Sequence, residues 1–141
     1  KIWGPISKEL ESSSALVIIS PEWGGMVPAG LKNFFLLCGS REIAHKPGLI
    51  VGVSSGMGGS YPIAELRMSS YKNTRLCYIP DHIIVRSAEK MLQAPTASDP
   101  HDESLRQRLT YTLKVLGEYG KALDGVRASG VIDTKAFPFG M

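Results

Sequence analysis

Three short apolar runs, each leading through a turn into a helical or polar stretch, restrict this chain to a small set of architectures. The first run is Ala15-Leu16-Val17-Ile18-Ile19, the second Gly48-Leu49-Ile50-Val51-Gly52-Val53, and the third Arg75-Leu76-Cys77-Tyr78-Ile79. The first two are apolar on both alternating faces and rich in β-branched residues, as expected of strands buried on both sides. Antiparallel strands that face water on one side would alternate apolar with polar. Strands of this kind, separated by helices, imply a parallel sheet whose connections cross over right-handedly.

The connections fit that plan. Residues 20–25 (Ser-Pro-Glu-Trp-Gly-Gly) break the first run with turn formers. Pro28 then opens a helical pattern through Leu31, Phe34, Phe35 and Cys38 that Gly39 ends. Phe34 and Phe35 are neighbours on that helix and cannot point the same way, so one faces a partner subunit or the interior of a larger monomer. A Gly/Ser-rich loop, residues 54–60, leads to a helix from Pro62 to about Lys72 that buries Ile63 and Leu66. Pro80-Asp81 closes the third strand, and Ile83-Ile84-Val85 either extends it beyond a bend or packs separately. After a polar connection over residues 94–100, Ser98 or Asp99 caps a last helix whose positive end carries Asp102 and Glu103. Leu105, Leu109, Leu113, Leu116 and Leu123 form its core stripe. The tail from Val126 shows Phe137 and Phe139, suited to an interface arm or to a strand covering an edge.

Composition excludes several functions. Lys and Arg exceed Asp and Glu by 16 to 13 with no basic run, which argues against nucleic acid as a partner. No apolar stretch approaches the ~18 residues of a membrane span, and the start at Lys1 lacks the shape of a signal peptide. Cys38 and Cys77 are isolated, which fits reduced thiols and a cytoplasmic setting. His45, His82 and His101 lie far apart with no ligands at metal spacing, so no metal site is expected. Gly52-Val53-Ser54-Ser55-Gly56 matches a nucleophile elbow on paper, but Asp81 and His82 are adjacent and cannot complete a triad in the usual manner. The same glycines lack the Lys-Ser/Thr ending of a P-loop.

Two loops carry a more specific signal. Ser20-Pro21-Glu22-Trp23-Gly24-Gly25 followed by Pro28-Ala29-Gly30-Leu31-Lys32-Asn33 resembles the NADPH-dependent FMN reductase family, where a strand runs into Thr-Pro-Glu-Tyr-Asn and later Pro-x-x-Leu-Lys-Asn. Gly52 to Gly59 resembles that family's Gly-x-Ser-x-Gly stretch ending in paired glycines. The resemblance spans residues 13–80, with Trp23 in place of Tyr and Gly24 in place of Asn. It implies an α/β, flavodoxin-like parallel sheet with helices on both faces, in which this chain forms one domain and represents the three C-terminal βα units. In the family's strand order, 2-1-3-4-5, those units form a contiguous block. The first βα units, with the Gly-Ser-x-Arg loop that holds the FMN phosphate, are expected to lie outside the chain.

In such a sheet, ligands bind beyond the carboxyl ends of the strands, where both loops emerge. Glycines there let main-chain N–H groups approach the carbonyl-bearing edge of a flavin. The expected FMN-binding residues are Ser20, Pro21, Glu22, Trp23 and Gly24 in one loop and Ser54, Ser55, Gly56, Met57, Gly58 and Gly59 in the other. Trp23 offers a flat face, and Glu22 accepts hydrogen bonds within its own turn. No residue is assigned as catalytic, because the cofactor carries the redox chemistry. Lys32 and Asn33 are read as structural. The resemblance implies an oxidoreductase that takes electrons from NAD(P)H and passes them to a small-molecule acceptor (a quinone, an azo compound, free flavin or a metal ion), working as a homodimer or homotetramer. The competing expectation is a non-catalytic electron carrier or interaction domain of the same fold.

Overall fold

The structure is a computed structural model that describes residues 2–140; Lys1 and Met141, the outer ends of the start and tail discussed above, lie outside the described residues. Its elements run α1 (Trp3–Ser12), β1 (Leu16–Pro21), α2 (Ala29–Leu37), α3 (Ser40–Ile43), β2 (Pro47–Val53), α4 (Ser60–Ser69), β3 (Cys77–Val85) and α5 (Pro100–Ala128). The three expected strands form one parallel sheet in the order β1-β2-β3. β2 is central and buried along nearly its whole length, which explains its uninterrupted apolar sequence.

Helices cover both faces, as expected. On one, Leu16, Ile18 and Ile50 pack with Phe35 of α2, Ile43 of α3 and Ile63 and Leu66 of α4. On the other, Leu49, Val51, Ile83 and Val85 pack with Leu116 of α5. α5 lies over β2 and β3. Val17 and Ile19, which point to that same side from β1, are therefore left 44% and 61% exposed. The outer edge of β1 is unpaired among the described residues; the strand order implied by the resemblance places a further strand there.

Several details depart from the sequence reading. α1 was not anticipated: its Trp3 meets Phe34 edge-on, with centroids 6.1 Å apart, and its last turn is capped by the buried Lys46, whose ammonium donates to the Leu10 and Glu11 carbonyls. Phe34 is thus covered by α1 while Phe35 enters the core. Ile83-Ile84-Val85 continues β3 beyond a bulge. The register passes from Gly48↔Tyr78 to Ile50↔His82, so β3 uses four steps where β2 uses two. Pro80 sits in the bulge, where its missing N–H costs no ladder bond, and the Arg67 guanidinium of α4 donates to the carbonyls of Ile79 and Pro80 at 2.8 and 3.0 Å. In α5, Leu113 faces outward and Thr112 takes its place in the seam with Leu116 and Gly120, its hydroxyl donating to the Arg108 carbonyl. No strand forms in the described tail: Phe137 and Phe139 are exposed, and the Phe137 carbonyl accepts from Arg75.

Asp99 caps α5 as expected, accepting from the amides of His101 and Asp102. Asp102 does more than complement the helix dipole. Its fully buried carboxylate accepts from the amides of Leu92 (2.9 Å) and Ser98 (3.0 Å), and from Arg106, folding the preceding loop back on the helix. The Leu92 and Ser98 amides, with help from Arg106, hold this carboxyl below its ordinary pKa against the opposing effect of burial. A depressed folded-state value means that the stabilisation is complete above the unfolded pKa of about 3.9 and is lost as pH falls through the folded value. Asp102→Asn is therefore expected to lower the Tm by several degrees at pH 7. In thermal unfolding followed by circular dichroism, the gap from the unsubstituted protein should narrow steadily as the pH is taken from 5 towards about 2.

Candidate functional site at the carboxyl ends of the strands

The register of β1 on β2 places Pro21 opposite Val53, so the loops that follow leave the sheet as neighbours. The Glu22 amide adds one more rung by donating to the Val53 carbonyl at 2.8 Å. The first loop then folds into a tight hairpin in which the amides and carbonyls of Trp23 and Met26 exchange hydrogen bonds of 3.1 and 3.0 Å. Its two tip residues, Gly24 and Gly25, have φ of +57° and +75°. Positive φ at both central residues is the signature of a type I′ turn, which Asn-Gly and Gly-Gly satisfy. Gly24 in place of Asn thus preserves the backbone shape. The hairpin leaves the Trp23 side chain 68% exposed.

The far end of this loop is anchored as firmly as its start. The buried Val27 donates its amide to Glu65 of α4 at 2.8 Å, and the other oxygen of that carboxylate pairs with Lys32 on α2. Lys32, with the Val27 amide second, holds the Glu65 carboxyl below its usual range. The structural reading of Lys32 thus has a concrete form.

In the second loop the carbonyls of Ser54, Gly56 and Gly58 face one partner, the segment after β3. The Ala88 amide donates to the Ser54 carbonyl (3.1 Å), the Ser87 amide to Gly56 (2.9 Å), and the Arg86 Nε to Gly58 (3.1 Å). Of the amides, Ser54 donates to the Val85 carbonyl, Gly56 to the Ser54 hydroxyl, and Gly59 to a Glu22 carboxylate oxygen at 2.6 Å. The amides of Ser55, Met57 and Gly58 donate to nothing among the described residues. The result is a turn tied down through three of its carbonyls that leaves three amides free. Met57 is exposed beside them in sequence.

Glu22 is therefore brought against the 54–59 loop, with Trp23 and Gly24 following it in the hairpin, while three expectations need correction. Glu22 accepts across the gap from Gly59 and not within its own turn. Gly59 is buried and its amide is taken; it is glycine because φ is +98° and because a Cβ there would lie 2.6 Å from Ile84 Cγ2. Ser20 is fully buried with its hydroxyl bonded to the Pro21 carbonyl, and Pro21 is half-buried in the strand, so both form the floor and not the lip. Residues 86–88 and Glu65 were missed. Arg86 directly follows a strand end, and the rule that placed the first two loops on this rim places it there as well. A separate groove of about 500 Å³ between α2 and α4, lined by Phe35, Leu36 and Leu66, shares only Val27 with these loops.

Fold and loops together define a flavodoxin-like α/β protein with a main-chain donor site on the carboxyl rim. Residues 2–90 match the NADPH-dependent FMN reductase family, and the chain belongs to it. Among solved structures, an oxidoreductase from Corynebacterium diphtheriae is similar at a TM-score of 0.64 and 16% identity, over 84% of this chain and 60% of that one. The flavodiiron core of Flv1 from Synechocystis sp. PCC6803, described as metal-soaked, is similar at 0.50 and 17% identity, over 86% of this chain and 26% of that one. The chain thus spans well under two thirds of the length of these relatives, and at such identities the likeness concerns the fold. Comparison with curated protein sequences returns no match.

The glycines differ in what they do, and substitution separates them. A Cβ at Gly52 would stand 2.2 Å from the Gly59 carbonyl oxygen, whereas one at Gly56 would meet nothing within 4 Å. Gly52→Ala is expected to cost about 1–3 kcal/mol through overpacking, and Gly56→Ala to stay within about 0.5 kcal/mol. Urea unfolding of the two variants checks this.

Proposed function

We propose that the protein binds FMN non-covalently between the 22–26 hairpin and the 54–59 loop and serves as an NAD(P)H-dependent flavin oxidoreductase. The observation that carries the reading is the turn at Ser55, Met57 and Gly58, whose amides are free while the carbonyls of Ser54, Gly56 and Gly58 hold it in place. A flavin presents carbonyl oxygens and ring nitrogens along one edge, and a strip of unpaired N–H groups is complementary to it. Bound FMN supplies the hydride acceptor and electron store that no side chain of this loop set provides.

The chain's own residues bind and orient. Trp23, presented by a hairpin tied at both ends, gives a planar apolar face and keeps water from that side. Met57, exposed between Gly56 and Gly58, adds a polarizable contact. Ser54 fixes the turn through its hydroxyl, and Ser55, Gly56 and Gly58 keep the lip low enough for a planar ring to approach. Ser20, Pro21 and Gly59 support this lip from below. NAD(P)H and then a quinone, azo compound, free flavin or metal ion would use the same open face in turn. We place the protein in the cytoplasm, where the free thiols of Cys38 and Cys77 stay reduced, and propose a homodimer or homotetramer that uses Leu36 and Leu37, exposed on α2. Among the described residues no helix is long and apolar enough to cross a membrane.

The test uses the full-length protein. Its visible spectrum should show bound flavin, and anaerobic addition of NADPH should bleach it. A bound flavin that stays oxidised would instead identify an electron carrier, and failure to take up FMN an interaction domain. Trp23→Ala should weaken FMN binding by about 2- to 10-fold, the equivalent of roughly 0.5–1.5 kcal/mol of stacking, as read by flavin fluorescence.

A further inference from the structure

Glu22 holds a position that flavin contact alone does not explain. Its side chain is half-buried and, among the described residues, has no basic partner. One oxygen accepts the Gly59 amide at 2.6 Å. The other occupies the place of a side chain at residue 58: a Cβ on Gly58 would lie 2.7 Å from Glu22 Oε1 and 3.1 Å from its Cδ. A side chain at residue 58 would therefore have to displace the Glu22 carboxylate. The Glu22 backbone is itself fixed, since its amide donates to the Val53 carbonyl at the point where the second loop begins.

We infer that Glu22 is a positioning residue that latches the two loops together and thereby sets the direction of the free amides at Ser55, Met57 and Gly58. The inference rests on the FMN reading above for what those amides contact, but the latch itself does not. A hydrogen bond from an amide to a carboxylate is among the stronger ones a loop can make, and it is short-ranged enough to define one geometry. The remaining bonds on the 54–59 loop come from β3 and the residues after it, on the far side of β2 from the Trp23 hairpin. Without the carboxylate, the hairpin carrying Trp23 and the turn carrying the amides would be joined only through the strands beneath them and, more remotely, through the Val27 bond to Glu65 of α4. A ligand spanning both would then have to order them on binding, and affinity would fall by the cost of that ordering.

The experiment is backbone amide exchange by NMR on the full-length protein, with FMN affinity measured alongside, for the unsubstituted chain, Glu22→Ala and Glu22→Gln. The Gly59 amide should exchange slowly in the unsubstituted protein without FMN and at least tenfold faster in Glu22→Ala, while amides in β2 keep their protection. FMN binding should weaken at least tenfold in Glu22→Ala. Glu22→Gln, which keeps an accepting oxygen, should restore both most of the way. Fast exchange at Gly59 in the unsubstituted protein, or unchanged exchange in Glu22→Ala, overturns the latch. Accelerated exchange with FMN affinity unaltered overturns its positioning role. If the unsubstituted protein takes up no FMN, the functional reading and the positioning role fall together, and slow exchange at Gly59 would show that the latch survives them.

Discussion

Because β1 and β2 run parallel in a register that sets Pro21 against Val53, the chain leaves the sheet twice at the same height and on the same rim. All that makes this rim a candidate binding surface follows from that adjacency. An antiparallel pairing would send the second loop to the opposite end of the molecule. The register depends in turn on β2 being buried on both faces, since a slip by one residue would exchange the Ile50 face, packed on α2 and α4, with the Leu49 and Val51 face, packed on α5.

A parallel sheet brings loops together but does not decide which polar groups they expose. Here that choice is made by the segment after β3, which takes the carbonyls of Ser54, Gly56 and Gly58 through the Ser87 and Ala88 amides and Arg86. Holding these three carbonyls from one side fixes the turn and leaves the amides of Ser55, Met57 and Gly58 free. Three consecutive strand ends thus contribute different things: the first an aromatic face, the second main-chain donors, the third the bonds that orient those donors. The clip that Asp102 places on residues 92–98 steadies the connection that follows the third.

The sheet, its parallel sense and the two loops were legible because their signals are local and strong. Apolar runs of strand length, glycine pairs and Pro28 each restrict the backbone without help from the rest of the chain. What could not be read was set at long range. Asp102 looked like a helix-dipole residue, and only the path of the loop shows that its carboxylate receives two amides. Thr112 takes the place of Leu113 in the α5 seam, its buried hydroxyl satisfied by the Arg108 carbonyl of the preceding turn. The partner of Glu22 lies 37 residues away, so no spacing rule connects the two. The inward face of α1 is Trp3, Ser7 and Leu10, with Ile6 exposed, so a serine at its centre and its terminal position concealed it. Glycine roles were the hardest: the same residue type serves turn geometry at Gly24, close packing at Gly52 and Gly59, and clearance for a carboxylate at Gly58.

The central claim is that the free donors of the 54–59 loop and the face of Trp23 together form the flavin site. It is tested most directly by titrating FMN into isotopically labelled full-length protein and following each amide and the indole N–H by NMR. The account predicts that the largest shifts fall on Ser55, Met57, Gly58 and the Trp23 side chain. Shifts gathered instead in the α2–α4 groove around Phe35 and Leu66, with the loop amides unmoved, would contradict it.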